Sequence, residues 1–383
     1  MTGARTDHEW QALPSISLFG AQYNGRALSI AVMTAHVSSS QRQSTNEYER
    51  NAGIMRDPFP VTKVAAVQAA PVFLNREASV AKACRLIAEA GAAGAKLAVF
   101  GETWLPGYPI WLDVAPGAGL WNHPPAKEVF TRLVANAVEV PGPVTEALGA
   151  AAAQARCAVV MGLNERERGR PAGTLYNTIV YLGADGRLLG KHRKLTPTYT
   201  ERLVWGRGDG STLNIVDLPQ GRVGGLVCWE HWMPLARHAM HVTGEQIHAA
   251  LWPTVNDIHH VASRHYAFEG RCFVLAVGSV LRRDQVPEDL AIFQGDEIDP
   301  GAHLLAGGSA IIGPDGHYLT GPAGPEEIIL YADLDLARIP AEHLTFDAVG
   351  HYGRPDVFTL TVNTAPQTYL DTEDEHSRLT GAD

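Results

Sequence analysis

Short apolar bursts punctuate this chain, and most are closed by glycine or proline. The run over 63–71, Lys63-Val64-Ala65-Ala66-Val67-Gln68-Ala69-Ala70-Pro71, reads as a strand stopped by its proline. Residues 75–95 then place Val80, Cys84, Ile87 and Gly91 on one face at helical spacing, and Gly94 ends the pattern. A second buried strand follows over 96–100, so the first hundred or so residues contain a strand–helix–strand unit. Further strands are expected over 157–163, 222–227, 247–252, 272–280 and 328–332, and helices over 143–156, from Pro234 onward, and over 263–270. Two hairpins are signalled, one turning at Ala184-Asp185-Gly186 and one at Pro314-Asp315-Gly316. The stretch 106–143, rich in Pro, Gly and Trp, reads as a long excursion carrying Tyr108, Trp111 and Trp121. Strands outnumber helices and several are joined by hairpins, which predicts an α/β protein built on mixed sheets.

The two ends of the chain break this pattern. Residues 1–58 include the polar tract Ser38-Ser39-Ser40-Gln41-Arg42-Gln43-Ser44-Thr45-Asn46, which has no periodicity, and are expected to be a flexible extension. A single domain is expected over 59–360, with a tail over 361–383. Composition narrows the partners. A formal charge of −10 lacks the basic stripe that nucleic acid or an anionic membrane requires. No apolar run is long enough to span a bilayer. Cys84, Cys157, Cys228 and Cys272 form no CxxC pair, the usage of a cytoplasmic protein with reduced thiols.

Candidate chemistry gathers at strand ends. Glu102 follows the strand over 96–100, Lys194 follows the first hairpin, and Cys228 stands where a strand gives way to the Pro234 helix. A cysteine at such a turn is expected to have a lowered thiol pKa, because backbone N–H groups and the helix dipole favour the thiolate. His259, His260 and His265 are a rival cluster. A spacing of five does not bring two side chains to one helix face, and no third ligand follows at zinc-like spacing, so no metal is expected. Gly206-Arg207-Gly208-Asp209-Gly210 neither follows a strand nor opens a helix, so no cofactor phosphate loop is expected either.

Three blocks carry a family resemblance: Gly101-Glu102-Thr103-Trp104-Leu105-Pro106-Gly107-Tyr108-Pro109, His192-Arg193-Lys194-Leu195-Thr196-Pro197-Thr198 and Cys228-Trp229-Glu230-His231. Their types and order resemble the signature blocks of the nitrilase superfamily. The Trp-Glu pair after the cysteine is more similar to true nitrilases than to amidases. Two departures stand out: Gly101, where many relatives carry proline, and His231, where asparagine is common. The resemblance implies a four-layer α-β-β-α sandwich of two mixed β-sheets and a homo-oligomer, either a dimer or a larger spiral. It implies hydrolysis of a small-molecule nitrile by Cys228, Glu102 and Lys194, with Glu201 as a fourth polar member. By the same carry-over Tyr108, Thr198, Trp205, Trp229 and Trp232 bind substrate, and no cofactor is needed. The alternatives are an amidase or hydratase-like activity that stops at the amide, and a catalytically silent assembly module.

Overall fold

The computed structural model of the chain describes residues 59–167 and 173–367. The extension expected over 1–58, and the expected tail beyond residue 367, lie outside the described residues. One sheet holds β1 (Val61–Gln68), β2 (Leu97–Phe100), β3 (Val138–Glu139), β4 (Ala158–Arg166), β5 (Leu175–Leu182), β6 (Leu188–Arg193) and the distant β15 (Ile328–Asp335). Their order is β15-β1-β2-β4-β5-β6, with β3 beside β4. The other sheet is built from β7 (Val216–Leu218), β8 (Gly221–Val227), β9 (Ile247–Leu251), β10 (Phe273–Val277), β13 (Ala310–Ile312) and β14 (Tyr318–Thr320). It runs β14-β13-β10-β9-β8-β7, while β11 (Val280–Arg282) and β12 (His303–Ala306) form a separate ribbon. Parallel and antiparallel neighbours occur in both large sheets.

Strand periodicity explains how the layers stack. On β1, Val64 and Ala66 face the core shared with the second sheet, while Ala65 and Val67 face the opposite way. On β4, Ala158 and Val160 turn inward and Val159 and Met161 outward. The outward set packs against α1 (Arg76–Ala92), through Ala83, Ile87 and Ala90, and against Leu148 and Ala152 of a later helix, 143–155. The predicted strand–helix–strand unit is present, with β1 and β2 parallel neighbours. Asn75 begins its helix by accepting the Ala78 N–H at 3.1 Å. The second sheet is covered by helices bearing Met240, Ala262, Tyr266 and Ala267. The result is the expected α-β-β-α sandwich.

The excursion over 106–143 is more ordered than its composition suggested. It contains a short helix, α2 (Trp111–Val114), and a 13-residue helix, α3 (Pro124–Asn136), before α4 (Pro143–Ala155). Pro124 and Pro125 open α3, where a missing N–H costs nothing, and Val129 and Leu133 bury its inner face. The strand expected over 272–280 is split: β10 ends at Val277, and the chain restarts as β11 at Val280 in the separate ribbon. After β8 a 3-10 turn spans Cys228–Trp232, then α5 (Pro234–Val242) begins, and α6 (Asp257–Gly270) is longer than the pattern over 263–270 indicated. Both hairpin turns are present, with Gly186 and Gly316 in the left-handed region their turns require.

Candidate active site

Glu102 emerges just past β2, and its N–H is held by the Trp252 carbonyl at 3.1 Å. Lys194 lies immediately after β6 and Cys228 immediately after β8, so both sheets deliver chemistry to one end of the sandwich. Glu201 comes from a 3-10 turn, Tyr199–Leu203. Lys194 Nζ donates to Glu102 Oε1 at 3.0 Å and to Glu201 Oε2 at 2.6 Å. All four side chains are buried. Cys228 holds a backbone φ of 53°, the left-handed region that side chains avoid. Such strain, of order 1–3 kcal/mol, persists where surrounding structure imposes it and is concentrated at functional sites.

Electrostatics follows from this crowding. Burial and the Glu201 charge push the Glu102 carboxyl up to about 7, against the opposing pull of Lys194 and Asn177. Burial alone would depress Lys194, but Cys228, Glu102 and Glu201 raise it above the ordinary lysine value. Burial and the Glu102 charge raise the Cys228 thiol well above its usual range, with Lys194 and the Trp229 N–H working against them. This corrects the expectation of a lowered thiol pKa. The helix whose dipole was invoked starts only at Pro234, and two carboxylates are closer than it is. This favours the thiol over the thiolate at rest, so any attack by Cys228 would need a base to take its proton.

The donor atoms of Glu102, Glu201 and Cys228 lie within 4.8 Å of one another, a spacing that could admit a metal ion. The Lys194 ammonium already bridges both carboxylates, and a second cation there would meet direct repulsion. The three histidines weighed from sequence diverge. His259 stacks on Trp252, His260 meets Tyr318 edge-on, and His265 lies 3.9 Å from Glu269.

A cavity of about 840 Å³ opens onto Cys228. Its walls include Tyr108, Thr198, Glu201 and Trp229, with Ile110, Val114, Met233, Leu304 and Leu305 supplying apolar surface. Tyr108 also donates to Glu201 Oε1 at 3.2 Å. Trp205 is not part of that wall. It stands behind the site, with Tyr108 edge-on to it at 5.9 Å, Lys194 Nζ 5.8 Å from its ring centre, and its own N–H on Asn164 at 2.8 Å. Trp232 does not line the cavity either. An α-helical register would put residues four apart on one face, but the turn is 3-10 and eclipses residues three apart. His231, not Trp232, is brought back under Cys228: its Nδ1 lies 2.6 Å from the Cys228 carbonyl oxygen.

Two supporting residues had roles that the sequence did not reveal. Asn177, inside β5, donates to Glu102 Oε1 at 2.6 Å, and an asparagine in a strand looks like any polar strand residue. Glu230 accepts from the Leu195 and Val227 N–H groups at 2.8 and 2.7 Å and sits 3.0 Å from His192 Nε2. It thereby ties the turn carrying Cys228 to the turn carrying Lys194. Both Glu230 and His192 fall within the motif blocks, so position marked them although their role did not show.

A model of the carbon–nitrogen hydrolase family matches residues 63–341. The chain is 44% identical over 308 residues to an aliphatic nitrilase of Sinorhizobium fredii (strain HH103), spanning 80% of this chain and 97% of that one. It is 40% identical over 311 residues to a bifunctional nitrilase/nitrile hydratase of Lupinus angustifolius, spanning 80% of this chain and 87% of that one. Among solved structures, a carbon–nitrogen hydrolase of Helicobacter pylori G27 superposes with a TM-score of 0.60 at 20% identity, over 78% of this chain and 97% of that one. The signature blocks, the fold and these relatives agree: the chain belongs to the carbon–nitrogen hydrolase family, in its nitrilase branch.

Proposed function

We propose that the chain hydrolyses an organic nitrile to its carboxylic acid and ammonia through a covalent intermediate on Cys228. The observation that carries this reading is the placement of one thiol at a mostly apolar cavity, directly against a buried carboxylate–ammonium–carboxylate group. Glu102 takes the thiol proton as sulfur attacks the nitrile carbon, then delivers it to the nitrogen, leaving a thioimidate. Lys194 and the Trp229 N–H stabilise the negative charge that develops during attack. Water adds and Glu102 passes one of its protons to the nitrogen; as the second proton follows from the new hydroxyl, the C–N bond breaks, ammonia leaves and a thioester remains. A second water releases the acid and restores the thiol. Glu201 holds Lys194 between the two carboxylates. Tyr108, Thr198 and Trp229 contact the substrate, while Trp205 supports the site from outside the cavity wall.

The tetrahedral adduct formed by the first water has a second exit. If the C–S bond breaks instead of the C–N bond, an amide is released, and the bifunctional name of the lupin relative favours weighing this outcome. A silent assembly module is the weaker reading, since the thiol, base and cation are all present and in contact. We take 59–360 as the catalytic domain, between an N-terminal extension and a C-terminal tail. The four unpaired cysteines support a cytoplasmic setting. Exposed Leu235, Val242, Ile258 and Val261 on α5 and α6 support pairing of two copies through these helices. The test is a panel of aliphatic, aryl and arylaliphatic nitriles and their amides, scored for ammonia, acid and amide. Turnover of nitriles to acid supports the reading; turnover of amides alone overturns it.

A further inference from the structure

Beneath the nucleophile runs a buried chain of four side chains that the reaction above does not use. His231 Nδ1 lies 2.6 Å from the Cys228 carbonyl oxygen, and His231 Nε2 lies 3.0 Å from His248 Nε2. His248 Nδ1 is 2.8 Å from Glu245 Oε1, and Tyr266 donates its hydroxyl to Glu245 Oε2 at 2.7 Å. All four are buried, and His231 is stacked on Trp252. Room for the carboxyl exists because Gly224 has no side chain: a Cβ there would collide with Glu245 and with Met240.

We infer that this relay sets the tautomer of His231, and that His231 thereby aims the Trp229 N–H at the reacting atoms. The inference rests on the nitrilase reading above. A carbonyl oxygen only accepts, so His231 Nδ1 must carry its proton and Nε2 must offer a lone pair. His248 Nε2 must then donate to His231. The remaining proton is shared between His248 Nδ1 and Glu245 Oε1, and Tyr266 fixes the other carboxyl oxygen. Burial pushes the Glu245 carboxyl up to about 7, which suits a protonated acid donating to a neutral imidazole.

The consequence passes through one peptide plane. The Cys228 C=O and the Trp229 N–H belong to the same planar, trans peptide unit and point in opposite directions. Anchoring the carbonyl beneath the turn therefore aims the N–H to the opposite side, where it favours the thiolate form of Cys228. A donor on the carbonyl also polarises the amide and strengthens its N–H. At the strained φ of Cys228 the plane would otherwise relax. His231 is thus a positioning residue for the oxyanion-stabilising N–H.

Two variants and one spectrum test this. His231→Leu removes the donor, and His231→Asn retains one. Removing an oxyanion donor outright costs about a hundred- to a thousandfold in kcat, so misaiming it should cost about ten- to a hundredfold with KM nearly unchanged. The asparagine variant should recover most of that loss. Alkylation of Cys228 by iodoacetamide, followed against pH and located by peptide mass, should show a higher apparent thiol pKa in the leucine variant than in wild type. Histidine 15N spectra of the wild type should show His231 protonated at Nδ1 and bare at Nε2, a readout that stands even if the leucine variant does not fold. A folded His231→Leu enzyme with kcat within threefold of wild type and an unshifted alkylation profile would overturn the inference, as would an Nε2-protonated His231. A wild type that turns over no nitrile fails the earlier reading instead, leaving the tautomer to be judged by the spectrum.

Discussion

Glu102 and Lys194 pose opposite electrostatic problems in the same few ångströms. The carboxyl, pushed to about 7, must be ionised to take the Cys228 proton, so kcat/KM should fall tenfold per pH unit well below 7. Because Glu102, Lys194 and Glu201 are coupled, the midpoint belongs to the group and not to one residue. Glu102→Gln should lose at least about a hundredfold in kcat and Lys194→Met a similar amount, the scale of a lost base or a lost oxyanion donor. Steady-state ammonia release measures both, and a loss under about fivefold would demote the residue to structural support. Lys194→Met also leaves two buried carboxylates facing each other, so its thermal midpoint should fall clearly below that of wild type. The cavity wall predicts a contrast between neighbouring tryptophans. Trp229→Ala should change the kcat/KM ratio of a branched to a linear nitrile by about tenfold or more, and Trp232→Ala should leave it within twofold. A shift in the Trp232 variant alone would mean the ring reaches the substrate after all. The sequence made Glu102, Lys194 and Cys228 legible because each follows a strand and sits in a recognisable block. The resting state of the thiol was not legible, since it depends on burial and on carboxylates brought from other segments.

At the scale of elements, strands were easier to read than their surroundings. The alternation on β1 and the apolar burst of β2 survive almost unchanged from pattern to structure, because each strand is buried on both faces. Helix α3 escaped notice because two prolines and the flanking tryptophans look like loop composition, although its inner stripe of Val129 and Leu133 follows helical spacing. The 3-10 turn after β8 could not be told from the start of a helix, and that alone displaced Trp232 from the expected wall. Arg237 and His241 of α5 both reach Glu269 of α6. Arg237 donates to Glu269 at 2.6 Å and also reaches the His231 carbonyl at 3.1 Å. Burial would raise the Glu269 carboxyl, but hydrogen bonds from His241 and Arg237 outweigh it and hold it at about 2. A depressed carboxyl stabilises the fold above its unfolded value of 4.5, and that contribution is lost as pH falls towards 2. Glu269→Gln should therefore cost about 1 kcal/mol near neutrality, a figure kept small because the pair is partly exposed. Urea midpoints at pH 7, 4.5 and 3.5 should show the gap between variant and wild type shrinking on acidification; a gap that widens contradicts the assignment.

The whole molecule brings together residues far apart in sequence. Glu102 and Lys194 are offered by one sheet and Cys228 by the other, so the face-to-face stack of the sandwich is what closes the site. No helix among the described residues is long and apolar enough to cross a membrane. The proposed pairing through α5 and α6 leads to an assembly prediction: a charge on that exposed apolar surface, Val261→Glu, should lower the mass measured by light scattering behind size exclusion. An unchanged mass would count against pairing through these helices. The central claim is narrower and can be met head-on by comparing ammonia release from a nitrile by wild type and by Cys228→Ala, with folding of the variant checked by circular dichroism. Wild type should release ammonia and the variant less than a thousandth as much, while alanine at Cys84, Cys157 or Cys272 leaves turnover largely intact. A folded Cys228→Ala protein that keeps more than a tenth of the wild-type rate would contradict the account.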